Sequence, residues 1–211
     1  MHQTVDKCNL CCKNGGVKPG EARPGGRSAR TRRQVLDATV DLLAERGYEA
    51  LTYEAVAERS GVHKTTVYRR WPTKAELVAD AARQRSEQLV DVPDTGTLRG
   101  DLTALARSVA ANIGSDLGGA MTRTLVAAAA TSPSVADASR TFWSERLRLT
   151  SAIVERAVAR GELPSGTDAH LVLEALIGPL YVRLLLTGEP LDRAVADQVA
   201  AAVSSGWAAP T

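Results

Sequence analysis

Five cations, Arg59, Lys64, Arg69, Arg70 and Lys74, stand between positions 59 and 74 with no acid among them. Cations at this density point to a polyanion, and phosphate suits both types, lysine as a point charge and arginine as a planar fork of donors. Lys64 and Lys74 each fall in the expected first turn of a helix. There the helix dipole is positive, and a cation is unfavourable by roughly a few tenths of a kcal/mol. A phosphate at the helix end reverses the sign, because dipole, free N–H groups and ammonium then attract the same anion. The competing reading is an ordinary solvated helix face. Spacing decides between them.

Thr52 is expected to cap a short helix over 53–60, Gly61 to turn the chain, and a second short helix to run over 64–71 until Pro72. Gly61 reaches the left-handed conformation that costs other residues about 1 kcal/mol or more. Val56 and Ala57 lie inside the first helix, and Val62 and Val67 fall where the two must pack. That is the arrangement of a helix-turn-helix. Arg70 occupies a site that is often apolar, and Trp71 supplies the bulk instead. A helix of about eight residues is ~12 Å long and fits a major groove ~12 Å wide. Ahead of the pair, Val35, Leu36, Thr39, Val40, Leu42 and Leu43 recur at helical spacing until Gly47. Behind it, Thr73 and Glu76 spell a capping box that opens a helix running to about Val90, after which Pro93 and Gly96 close the module.

The run from Leu51 to Leu77, in which Gly61-Val62 is followed by Tyr68, Trp71 and Lys74, resembles the TetR family of transcriptional regulators, and with the preceding helix the likeness covers residues 28–90. It implies that Thr52 and Tyr68 bond phosphate, that Lys74 pins the DNA backbone, and that Lys64, Thr65 and Thr66 face base edges. Arg69 and Arg70 are expected at phosphate or guanine. His63 departs from the Ser or Thr usual as the N-cap, a change that weakens the cap by about 1 kcal/mol. We read its imidazole as solvated or phosphate-facing rather than as a pH switch. Arg23, Arg27, Arg30, Arg32 and Arg33 are expected to add contacts as a basic arm, making affinity salt-sensitive. The resemblance implies a repressor released from a palindromic operator by a small, mostly apolar ligand.

The chain has 211 residues, 44% of them hydrophobic, enough for a real core. Net charge is +4 over residues 1–30, +1 over 31–90 and −3 over the rest, so one end suits a polyanion and the other does not. The fold class is all-α. Helices are expected at 98–113, 120–130, 135–160, 168–186 and 191–205, broken by Gly114, Gly118, Pro133, Gly161, Pro164, Gly166, Gly188 and Pro190. Three parts are expected: a flexible basic arm over 1–27, a three-helix DNA-binding module over 28–76, and a helical ligand-binding and dimerisation domain over 77–211. The 168–186 helix carries too wide an apolar surface for one core face, so it needs a partner. The family implies a homodimer through the last two helices, placing Leu173, Leu176, Ile177, Leu180, Leu184, Val195 and Val199 at its interface. Met121, Phe142, Trp143, Leu147 and Tyr181 are expected to line a ligand cavity, with Arg123 or His170 as its polar handle.

Other classes fare worse. His2, His63 and His170 are isolated, and no phosphate loop, catalytic triad or carboxylate pair can be assembled, so an enzyme is not expected. Cys8, Cys11 and Cys12 with His2 could hold a soft metal, but the leader has no core to fix them; no metal or cofactor is expected. An architectural DNA binder without an inducer is the other alternative. The longest apolar stretch, 171–186, carries Glu174 and Arg183 and is short of the ~20 residues of a membrane span. Residues 1–20 lack the apolar core of a secretory signal, so a cytoplasmic location is expected. Arginine far exceeds lysine, a bias that points to a GC-rich bacterial genome.

Overall fold

The structure, a computed structural model, describes residues 26–89 and 91–207. His2, Cys8, Cys11, Cys12, Arg23 and Val90 lie outside the described residues, as does the side chain of Arg27. The described residues form nine α-helices and no strand.

The first four helices build the N-terminal module. Helix α1 (Arg27–Arg46) buries Val35, Leu36, Leu42 and Leu43 and ends at Gly47, with φ +74°. In α2 (Tyr53–Ser60) the Thr52 hydroxyl accepts from the Ala55 N–H at 3.2 Å, and Gly61 closes the helix in the left-handed region at φ +67°. Helix α3 (Lys64–Arg70) follows, and Pro72 precedes α4 (Lys74–Leu89). The capping box forms at the start of α4: the Thr73 N–H donates to Glu76 Oε2 at 3.1 Å, and the Glu76 N–H donates to Thr73 Oγ1 at 3.2 Å. Arg30, Arg32 and Arg33 are helical residues of α1 rather than parts of an arm.

The remaining helices are α5 (Leu98–Gly114), α6 (Asp116–Ala129), α7 (Pro133–Ala159), α8 (Ala169–Val182), which runs into a π turn (Arg183–Thr187), and α9 (Arg193–Gly206). One expected break, Gly118, is not a break, and the break at Pro133 lies just ahead of it. Helix α6 starts at Asp116, because the Ser115 hydroxyl caps it by accepting from the Gly118 N–H at 3.1 Å. Gly118 is buried inside the helix, where a Cβ would stand 1.9 Å from the Asn112 carbonyl oxygen. Its role is close approach of α6 to the end of α5. Pro133 is the first residue of α7, a position where its missing N–H goes unused.

Two apolar cores result. The first gathers α1–α4 around Leu36, Val56, Val67, Trp71 and Leu77 and takes in Met121 from α6. The second packs α5, α7, α8 and α9 around Leu102, Ile153, Leu173 and Leu176. The expected boundary at 76–77 therefore falls within α4, whose Leu77, Val78 and Ala81 belong to the first core.

The assignment of α8 needs correction. Leu173, Leu176, Leu180 and Leu184 are buried in the chain's own second core, and Ile177, Val195 and Val199 pack partly against it. The outward apolar side chains are Leu171, Val182 and Leu186. A helix that is apolar all round gives no phase by which to rank its faces. The stretch Ala169–Thr187 is also long and apolar enough, at 19 residues, to pass a length test for a membrane span. One side of it, Val172, Leu173, Leu176, Leu180 and Leu184, is buried in the second core, and the rest of the stretch is half-buried or exposed.

One polar junction ties the N-terminal module together. Asp80 of α4 accepts from Arg32 Nε of α1 at 3.1 Å, from the Trp71 indole N–H at 3.0 Å, and from Arg83 at 3.1 Å. Burial alone would raise the carboxyl's pKa, but Arg32, Trp71 and Arg83 together bring it below its ordinary 3.8.

Asp80→Asn is expected to cost about 1–3 kcal/mol of stability at pH 7, measured by urea unfolding. Because the folded carboxyl is the stronger acid, its contribution is complete at neutral pH and is lost only as pH falls below 3.8, so the gap between variant and parent closes in acid. Gly118→Ala should cost about 1–3 kcal/mol through overlap with backbone. Gly206→Ala, whose Cβ would meet nothing within 4 Å, should change stability by no more than about 0.5 kcal/mol.

Candidate nucleic-acid interface and adjoining cavity

Val56 and Val67 are fully buried between α2 and α3, with Val62 packed beside them. This contact fixes the outward face of α3. Lys64, Thr65, Tyr68, Arg69 and Arg70 are exposed there, and Thr66 is half-buried. Tyr68 is 56% exposed and stands edge-on to Tyr53, ring centroids 5.5 Å apart. Tyr53 in turn donates its hydroxyl to the Trp71 carbonyl at 2.7 Å, and burial pushes that hydroxyl's pKa up to about 12, so it stays a donor. Tyr53 is thus the support of Tyr68, a role that sequence spacing did not reveal. Thr52 uses one lone pair for its cap and keeps a hydroxyl proton to donate. His63 heads α3 without a side-chain cap bond.

The acid-free run is not free of acids in space. Arg59 makes a two-pronged bond to Glu45 of α1 at 2.7 and 2.8 Å, and Lys64 pairs with Glu54 of α2. Hydrogen bonds from these cations hold both carboxyls below their ordinary pKa range. Lys74 donates to the Tyr48 carbonyl at 2.9 Å and to that of Glu49 at 3.5 Å, with its ammonium 4.3 Å from the centre of the Tyr48 ring. The two lysines at helix starts therefore have partners within the chain, which lie beside the phosphate contacts expected of them. Arg70 lies 5.4 Å over the Trp71 ring and reaches the Ser28 hydroxyl at 3.4 Å. Arg32, expected to serve an arm, is instead engaged by Asp80. Among the described residues Arg69 makes no such bond, and it is the cation of α3 free to meet a ligand without first breaking a contact.

Behind this face, α4, α6 and α7, with Asn112 and Ile113 of α5 and Tyr181 of α8, line an open-sided cavity of about 580 Å³. Of the expected lining residues, Met121, Phe142, Trp143 and Tyr181 are there. Phe142, Trp143 and Tyr181 form an edge-to-face chain with centroids 5.3 and 5.5 Å apart, and burial raises the Tyr181 hydroxyl to about 12. Leu147 borders a smaller neighbouring crevice of about 50 Å³. Arg123 is not in the cavity: two residues from Met121 on α6, it points to another side and donates to the Leu184 carbonyl at 3.3 Å. His170 is exposed at the start of α8, also away from it.

The polar lining comes from residues the sequence did not single out. Arg85 of α4 and Asn112 of α5 both border the cavity, and Arg85 Nε and Asn112 Oδ1 are buried without hydrogen-bond partners. Each such orphan costs about 1–3 kcal/mol while nothing satisfies it. The cavity wall also includes Arg70, Trp71 and Pro72, so it borders the recognition module directly.

Comparison with known proteins agrees with this geometry. The family profile described as bacterial regulatory proteins, tetR family, matches residues 35–81, and that of the tetracyclin repressor-like C-terminal domain matches residues 92–203. The HTH-type transcriptional regulator AqdR of Rhodococcus erythropolis is 34% identical over 180 residues, covering 85% of this chain and 86% of that protein. The DNA-binding transcriptional repressor TetR of Mycobacteroides abscessus is 34% identical over 166 residues, covering 76% of this chain and 84% of that protein. The crystal structure of the TetR family regulator SCO0332 is 33% identical with a TM-score of 0.74, covering 86% of this chain and all of that one. FadR of Bacillus subtilis, solved in complex with stearoyl-CoA, shares the fold at 18% identity and a TM-score of 0.64, covering 82% of this chain and 98% of that one. The chain belongs to the TetR family and is a helix-turn-helix DNA-binding transcriptional regulator, not an enzyme.

Proposed function

We propose that the chain is a homodimeric repressor that leaves a near-palindromic operator when a small molecule enters the 580 Å³ cavity. The observation that carries this reading is the shared wall: Arg70, Trp71 and Pro72 of the recognition module border the same cavity as Phe142 and Trp143 of α7. A ligand wedged against α4 acts on the element that holds α3 in place. It changes operator affinity only so far as it binds the non-operator arrangement better, which makes release a population shift.

The reading assigns DNA contact to Thr52, Lys64, Thr65, Thr66, Tyr68, Arg69, Arg70 and Lys74, and ligand contact to Met121, Phe142, Trp143 and Tyr181. The DNA-binding unit comprises α1–α3 and the first turns of α4, and the rest of the chain serves the ligand and the dimer. Lys64 binds DNA by exchanging Glu54 for a phosphate or base edge, and Lys74 by sharing its remaining donors. A two-fold operator calls for a two-fold protein. We assign the dimer contact to the outer face of α8, where Leu171, Val182 and Leu186 are exposed, together with the adjoining face of α9. The stearoyl-CoA bound to FadR supports an effector with an apolar body. The protein acts on double-stranded DNA in the cytoplasm.

Selection of random duplex DNA on the purified protein, followed by sequencing, is expected to return a two-fold symmetric motif. Retention without a motif would instead identify an architectural binder. On that motif, Arg69→Ala and Lys64→Ala should each weaken binding by about 1–3 kcal/mol in anisotropy titrations. Tyr68→Phe should lose a phosphate contact while leaving dimerisation, followed by sedimentation, unchanged. Full affinity in all three variants would move the recognition face elsewhere.

A further inference from the structure

We propose that the effector is an amphipathic organic anion, its apolar body against Phe142 and Trp143 and its anionic group on Arg85, with Asn112 as the second polar contact; this rests on the cavity being the effector site. Arg85 is half-buried, but its Nε is shut off from water, and a guanidinium N–H can only donate. It needs an acceptor. Among the described residues the carboxylates on the cavity wall are Asp80 and Glu76, and both are committed. Asp80 receives Arg32, Arg83 and the Trp71 indole, and Glu76 closes the cap of α4 on the Thr73 N–H. Among the described residues Arg85 Nε is thereby left buried and unpaired at the edge of a space whose far wall is aromatic.

Asn112 completes the recognition. Its Oδ1 is also buried without a partner, and its amide can turn to present either a donor or an acceptor. A carboxylate, sulfonate or phosphate ester bonded by Arg85 therefore finds a second donor on α5, and a neighbouring hydroxyl finds an acceptor. The two polar residues come from α4 and α5, and the aromatic wall comes from α7 with Tyr181 of α8. A ligand with one charged end and one apolar end satisfies both walls. A neutral ligand of the same shape leaves Arg85 Nε unpaired.

The test uses two fluorescent probes of nearly the same aromatic body on the full chain: 1-anilinonaphthalene-8-sulfonate, an anion, and N-phenyl-1-naphthylamine, which is neutral. The anion is expected to bind at least about tenfold more tightly. Arg85→Met should remove most of that preference, lowering anion affinity about tenfold and leaving the neutral probe within about twofold, while Arg85→Lys retains part of it. Met121→Trp, which fills the cavity, should reduce both. Equal affinity for the two probes, or an Arg85→Met variant that keeps the preference, overturns the anionic assignment and leaves the cavity as an effector site. Failure of both probes to bind, or binding of both undiminished by Met121→Trp, overturns the cavity reading itself.

Discussion

The carboxylate of Asp80 is the point on which the recognition module's geometry depends. It lies on α4, and by accepting from Arg32 of α1 and from the indole of Trp71 it fixes both the helix that underlies the module and the end of the helix that faces DNA. Its partial burial strengthens each of these bonds relative to a solvated pair, because charge-assisted bonds gain from low local dielectric. Arg83, also bonded to Asp80, lines the cavity. One residue therefore stands between the space that can hold a ligand and the orientation of α3.

Packing makes that coupling stiff. Met121 of α6 is buried in the first core, with Leu117 and Leu125 packed against it, and α6 also touches α5 and α7. Close contact at Gly118 sets how near α6 sits to the end of α5. Well-packed interiors change between discrete arrangements instead of deforming smoothly. A body placed among α4, α6 and α7 thus acts on the first core through contacts that have little slack.

The DNA-facing surface is satisfied within the chain before any DNA arrives. Glu45 and Glu54 neutralise Arg59 and Lys64, and loop carbonyls take the ammonium of Lys74. The exposed ion pairs of Arg59 and Lys64 are weak ones. Arg69 remains unengaged among the described residues. This division between poised and free cations follows from where α1 and α2 place their acids.

Local sequence determined much of this protein. Gly61, the Thr52 cap, the Thr73 and Glu76 box and the spacing of Val56 and Val67 all act within a few residues, so their consequences were legible in order along the chain, and they carried both the helix-turn-helix and the family. Adjacency in the chain likewise put Phe142 next to Trp143. What only the tertiary structure decided involves partners far apart in sequence. Arg32 meets Asp80, Glu45 meets Arg59, and Arg85 and Asn112 come to one cavity while Arg123 turns away from it. The leucines of α8 could not be sorted into core and outer face, because an all-round apolar helix has no preferred side until its neighbours α5, α7 and α9 are in place. Periodicity reports which side of a helix is apolar. Which other helix covers that side is set by the packing of the whole chain.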